Sequence, residues 1–197
     1  MANVARLGGF TPVKHLNGSP YNGQYNLYEV VAGDATALNI GDLVKPDSGT
    51  ATDVYPTVVR LAASGQVTAG PVTGAVVGFV VDPTNLNTPQ VRSASTKRYA
   101  MVADSPDIIF DVADGGTVPC TLTLIGMNTG VTCTAPNTTT GVSPMASGTT
   151  APTTTSTLPL KIMGIKNSPD NESAAASQRL LVMINTHTYG SVGVAGV

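Results

Sequence analysis

The sequence has little charge. Only 11% of its 197 residues are Asp, Glu, Lys or Arg, whereas an ordinary soluble domain has roughly 25%. Its 10 basic and 12 acidic side chains nearly cancel, so the chain lacks the basic excess that neutralises nucleic-acid phosphates, and we expect no nucleic-acid partner. A free monomer usually keeps more surface charge for solubility. The composition is therefore typical of a subunit within an assembly.

Long hydrophobic runs are missing as well. No stretch approaches the roughly 20 apolar residues of a membrane span, so we expect no membrane partner. The start of the sequence, MANVARLGGF, lacks the apolar region of a secretory signal. Hydrophobic residues nevertheless make up 42% of the chain, which is too many for a wholly disordered protein.

Residues that carry chemistry are few. His15 and His187 are the only histidines, and they stand in no metal-binding or nucleophile motif. Cys120 and Cys133 lie in neighbouring strand-like stretches, where they either form a disulfide or, as the interpretation we favour, are small buried hydrophobes. The aspartates between 104 and 114 lack the spacing of a calcium loop. We therefore expect no enzymatic activity, no metal and no cofactor.

Glycine, proline, threonine and valine dominate what is present, and they disfavour helices. Alternating or β-branched stretches predict an all-β fold, a compact sandwich or barrel of about ten short strands. The clearest predicted strands cover residues 26–31, 37–44, 54–61, 72–81, 98–104, 108–112, 121–125, 158–165 and 179–185.

Turn residues divide the chain into three parts. Residues 1–25 alternate Gly, Pro and Asn with single apolar side chains, which predicts an extended N-terminal arm. Residues 26–189 form the β-rich body, in which the Thr- and Gly-rich stretch 128–157 either projects or becomes ordered on a partner. Residues 190–197 form an apolar C-terminal tail that needs a docking surface.

Three groups of segments resemble one family of proteins of tailed bacteriophages. The first group is GFTPVKHLNGS at 9–19, continuing to IGDLV at 40–44, and the second is VADSPDIIFDV at 102–112. The third comprises TTTGVS at 138–143, LPLKIMG at 158–164, SPDNE at 168–172 and VMINTH at 182–187. In order and spacing they cover nearly the whole chain. The sequence thus resembles a capsid cement, or decoration, protein.

This resemblance implies a structural virion protein, made in the host bacterial cytoplasm, that binds the outer surface of the phage head. Such a protein stabilises the icosahedral shell by clamping adjacent subunits of the major capsid protein, and it associates with itself as a homo-dimer or homo-trimer. The alternative is a head-fibre or tail-associated module that contacts host surface glycans. We expect the capsid or inter-subunit contacts to involve Phe10, Val13, His15, Leu16, Tyr21, Val192, Val194 and Val197.

Overall fold

Alternating and β-branched segments form antiparallel strands joined by turns. In a computed structural model, the described residues are 3–4, 6–47, 51–116, 119–173, 175–190, 193 and 196. Within them lie fifteen strands in four antiparallel sheets and one 3-10 helix, Leu122–Leu124, so the prediction of an all-β fold is confirmed. The described part of the chain contains no helix with the length and hydropathy of a membrane span.

The strands are short. They are β1 (Thr11–His15), β2 (Asn26–Val30), β3 (Leu38–Asn39), β4 (Leu43–Pro46), β5 (Val58–Arg60), β6 (Gly65–Val67), β7 (Gly74–Phe79), β8 (Val91–Arg92), β9 (Arg98–Ala103), β10 (Ile108–Ala113), β11 (Asn128–Thr129), β12 (Val131–Cys133), β13 (Ala146–Ser147), β14 (Leu160–Ile165) and β15 (Arg179–Ile184).

Two five-stranded sheets form most of the molecule. The first sheet has the order β1-β10-β15-β14-β11, and the second has the order β2-β9-β7-β4-β5. Thr57, just before β5, forms a parallel bridge with Glu29 on β2, so the second sheet curls towards a closed barrel. The remaining sheets are small, with the orders β13-β12-β6 and β3-β8.

Hydrophobic cores lie on both faces of the second sheet, because successive residues of a strand point to opposite sides. Ala75 and Ala103 face the larger core, which the first sheet covers with Phe110, Leu160 and Leu180 among others. Val76 and Val102 face the smaller core inside the curled sheet. The inner face of the first sheet is thus fixed by its packing in the larger core.

A close crossing joins the N-terminal segment to the second sheet. The Phe10 amide donates to the Gly41 carbonyl at 2.9 Å, and a Cβ atom at Gly9 would lie 2.3 Å from the same oxygen. Gly41 has φ +87°, in the left-handed region that glycine adopts without strain. The two glycines therefore let the chain pass close enough for Phe10 to enter the larger core.

Part of the predicted extended arm lies in the first sheet. Residues 11–15 form β1, an edge strand that pairs with β10. Single apolar residues between turn residues gave no strand signal, but Phe10 supplies a deep anchor. The division of the chain into arm, body and tail stays a prediction.

The Thr-rich region holds two further differences. The alternation over residues 121–125 predicted a strand, yet Leu122–Leu124 is a 3-10 helix in which Leu122 is 68% exposed. Three short strands, β11 to β13, order parts of the stretch 128–157 through pairs with β14 and β6. Cys120 and Cys133 are free and buried, as the favoured interpretation held, and burial raises the pKa of both thiols to about 11.

Candidate interaction surface

Three connecting segments meet at one end of the two large sheets. They are residues 16–25 after β1, residues 104–107 between β9 and β10, and residues 187–190 after β15; we call them the loop end. The Leu16 amide donates to the Asp107 carbonyl at 2.8 Å. A Cβ atom at Gly190 would lie 2.9 Å from the Cβ of Pro106, so the third segment touches the second.

The first segment folds back on β1. The His15 amide donates to the Ser19 carbonyl at 2.8 Å, and the Tyr21 amide donates to the Val13 carbonyl at 3.0 Å. Gly18 makes the reversal possible with φ +90°, and the Asn17 side chain accepts from the Ser19 amide at 2.9 Å. This turn covers the outer edge of β1 and fixes the backbone on either side of Leu16.

Asp107 fastens the turn between β9 and β10 to β1. Its Oδ1 lies 3.2 Å from His15 Nδ1 and accepts from the Ser105 hydroxyl at 2.5 Å. The Ser105 hydrogen bond lowers the pKa of the Asp107 carboxyl, and His15 lowers it further. Because the serine donates to the aspartate, it is not poised as a nucleophile activated by histidine. The side chains of His15, Ser105 and Asp107 thus join β1 to this turn, and they line an open polar groove of about 470 Å³.

Asp104 holds the second part of the loop end. Its carboxylate accepts from the Tyr28 hydroxyl at 2.6 Å and from Asn26 Nδ2 at 3.0 Å. Burial raises the pKa of Tyr28, and hydrogen bonds to Asp104 and Tyr189 raise it further. Burial and the charge of Asp104 also raise the pKa of Tyr21. The Asp104 carboxylate therefore binds two residues of β2, and Tyr28 links it by a hydrogen bond to Tyr189 of the third segment.

His187 shapes the third segment. The residue is 6% exposed, and its Nδ1 accepts from the Tyr189 amide at 3.0 Å. Burial lowers the pKa of His187 below its ordinary value of 6.5, although the charge of Asp104 opposes this change. The imidazole is thus neutral at pH 7, which its role as an acceptor requires. The ring centroids of His187 and Tyr189 are 6.1 Å apart.

The loop end presents apolar and aromatic side chains to solvent. Leu16 is 54% exposed, Tyr25 is 47% exposed and Tyr189 is 59% exposed. None of the residues 16–25, 104–107 or 187–190 is a lysine or arginine. Protein interfaces are enriched in tyrosine and depleted in lysine, and their anchors sit on rigid supports. This arrangement has the chemistry of a protein-binding surface.

The structure brings together four of the residues predicted from the sequence. Val13 and Leu16 are exposed, His15 is buried beside them, and the rings of His15 and Tyr21 are 6.3 Å apart. Phe10 is different, because it is 1% exposed and packs edge-on against Phe110 at 6.4 Å, where no partner can reach it. The predicted tail contacts Val192, Val194 and Val197 lie outside the described residues.

Sequence reasoning missed Tyr25, Tyr189 and the organising role of Asp104. Tyr189 is 85 residues from Asp104, and no local pattern links them. The register of the first sheet is what places the end of β15 next to the turn between β9 and β10. The only signal in the sequence was the occurrence of tyrosines near turns. It identifies candidate residues but does not show which of them lie close together in the fold.

Other chemistry-bearing groups have structural contacts. Asp42 and Arg60 form a buried pair, with Nε and Oδ2 2.9 Å apart, and Ser143 donates to the same carboxylate at 2.6 Å. Asp114 accepts from Ser147 at 2.8 Å. Among the described residues, no group of three or more His, Cys, Asp or Glu side chains could hold a metal ion.

Comparisons of the whole chain with protein-family models, with curated proteins and with solved structures gave no match. The loop end is therefore interpreted from its own geometry.

Proposed function

We propose that the chain is a structural virion protein that binds the outer surface of a phage head and clamps adjacent major capsid subunits. The observation that carries this proposal is the loop end, where exposed apolar side chains stand on a rigid frame without lysine or arginine. The resemblance of the sequence to capsid cement proteins supplies the partner. Association as a homo-dimer or homo-trimer is part of the same proposal.

The physical basis of the clamp is multivalency. One loop end offers a small area, and its affinity for a single capsid subunit is modest. A shell presents many equivalent sites, and a protein that binds only the assembled lattice shifts the equilibrium towards that lattice. The proposed role needs no turnover, because its effect is the free energy of binding.

The test replaces Leu16 and Tyr189 together with serine. Both are exposed, so the fold should persist, and loss of two interface anchors should weaken binding to decoration-free heads about 100-fold. The measurement is co-sedimentation with heads from the phage whose genome encodes the chain. The matched control replaces Val54 and Leu86, which are 88% and 78% exposed and lie elsewhere, with serine. Equal binding by the two double variants would contradict the proposal.

A second candidate function draws on the same tyrosines. Tyr25 precedes Asn26, which binds Asp104, and Tyr189 is linked to Asp104 through Tyr28. Aromatic rings with carboxamide and carboxylate groups are side chains that also bind sugars. A glycan-binding module would shift the NMR signals of these tyrosines when oligosaccharides are added and would show no affinity for heads. That pair of results would replace the capsid proposal with the glycan one.

A further inference from the structure

The basic residues of this chain are unevenly distributed. Three arginines, Arg60, Arg92 and Arg98, are buried and donate mainly to backbone carbonyls and buried carboxylates. Lys45 and Lys97 belong to the second sheet or its border. The other five lie on or beside the first sheet, and they are Arg6, Lys14, Lys161, Lys166 and Arg179.

Strand register shows which of these share a face. One row of paired residues runs across four strands, from Lys14 on β1 through Ile109 on β10 and Met183 on β15 to Lys161 on β14. Arg179 pairs with Ala113, and Lys166 continues the ladder with an amide bond to the Arg179 carbonyl at 3.0 Å. These residues point away from the larger core, because their strand neighbours Phe110, Val182 and Leu180 point into it. We call this outer side of the first sheet the basic face.

Positive charge exceeds negative charge on the basic face. Asp111 is 4% exposed, and its carboxylate is bound by Lys166 at 2.7 Å and by Arg179 at 2.8 Å. One negative charge thus faces two positive ones, and Lys14 has no ion pair within the described residues. A surplus of positive charge stands out on a chain whose formal net charge is −2.

The face is also partly apolar and ends in a pocket. Leu181 and Met183 are half-buried between the cations and carry no polar group. Beyond Arg179, a pocket of about 320 Å³ is lined by Arg6, Lys166 and Arg179 together with Ser168, Asn171 and Asp170. Arg6 binds Asp170 at 2.5 Å, so Lys166 and Arg179 supply the positive charge of this pocket.

We propose that the basic face is a second docking surface, which binds an acidic and partly apolar surface of a neighbouring protein in the shell. This inference rests on the proposed function and adds the chemistry of a second contact. A clamp needs two separate contact surfaces. The β10 strand connects the loop end, at Ile108, with the basic pocket, near Ala113, over about 17 Å.

The mixed character of the face favours a protein over a nucleic acid. A duplex would desolvate Leu181 and Met183 against phosphates, and strong binding would need several more cations to release its counterions. An acidic protein surface can match the lysines at its rim and the apolar residues at its centre.

The experiment compares Lys14→Glu/Lys166→Glu with the wild-type protein in the same head-binding assay. Reversing two charges should weaken binding about tenfold or more at low salt, because rim charges then repel an acidic partner. Wild-type binding should weaken between about 50 and 300 mM NaCl, whereas the residual binding of the variant should not. The control, Lys45→Glu on the second sheet, should bind as the wild type does.

Each of the three other possible outcomes would contradict a particular claim. Equal binding of the wild type and the double variant would overturn the basic face and leave the loop end intact. Failure of the wild-type protein to bind heads would overturn the proposed function and this inference with it. Retention of a short DNA duplex by the wild type, lost in the double variant, would assign the face to nucleic acid and overturn its assignment to protein.

Discussion

The loop end and the basic face both border the first sheet, but they differ in chemistry. The loop end combines exposed tyrosines and a leucine with the carboxylates of Asp104 and Asp107, and its three segments contain no lysine or arginine. The basic face has lysines and an arginine around one buried carboxylate. Interactions of apolar surface depend little on salt, whereas exposed charges are screened. The two proposed contacts should therefore differ in their salt dependence, so that binding assays at low and high salt can separate them.

Phe10→Ala should break both surfaces at once. Phe10 fills the core beneath the sheet that carries them, and truncating a buried phenylalanine costs about 3–5 kcal/mol. Urea unfolding should show this loss of stability. Binding to heads should disappear, including the salt-dependent contribution of the basic face. Leu7→Ala, at a 58% exposed position three residues away, should unfold like the wild type. A stable Phe10→Ala protein in which only one of the two surfaces stopped binding would contradict the dependence of both surfaces on this core.

Asp104→Ala should damage the loop end and spare the basic face. The substitution removes the acceptor of the Tyr28 hydroxyl and of Asn26, and loss of hydrogen bonds to a charged group costs about 1–3 kcal/mol. Head binding should fall while its remaining salt dependence persists. Tyr28→Phe, which removes one of these hydrogen bonds, should have a smaller effect. An unchanged affinity for heads would show that Asp104 does not position the tyrosines.

Acidification should produce the smallest effect, again confined to the loop end. The folded pKa of His187 lies below 6.5, so the unfolded chain binds more protons as the pH falls below that value, and stability decreases. The contribution of His187 to stability should be complete above pH 6.5 and should be lost as the pH falls below that value. His187→Asn keeps an acceptor for the Tyr189 amide and should lose this part of the slope in thermal unfolding. If the dependence of stability on pH were unchanged by the substitution, titratable groups other than His187 would be responsible for it.

The sequence predicted most of the sheet strands because their pattern was local. Strands β9, β10 and β15 follow continuous apolar runs whose ends coincide with turn residues. The two- and three-residue strands β6, β11 and β13 were beyond prediction, since such segments carry no periodicity and owe their state to a partner strand. The alternation at 121–125 failed as a strand signal, since residues 122–124 form a 3-10 helix in which the Leu124 amide donates to the Thr121 carbonyl.

The candidate surface was only partly predictable. His15, Leu16 and Tyr21 lie within one turn, so their proximity follows from the chain itself. Phe10 looked equivalent to them in sequence, but the Gly9 and Gly41 crossing directs it into the core. The basic face could not be predicted at all, because its cations come from β1, β14 and β15 and meet only in the folded sheet.

The two large sheets also differ in how far apart their strands lie in the sequence, and this difference affects the order in which they fold. All strands of the second sheet lie between Asn26 and Ala103, whereas the first sheet needs segments from residue 11 to residue 184. Local pairings form before distant ones, because closing long loops costs entropy. During synthesis the strands of the second sheet can pair before β15 has been added to the chain. Both proposed docking surfaces therefore form last, so under the proposed function an unfinished chain lacks the surfaces that would bind the shell.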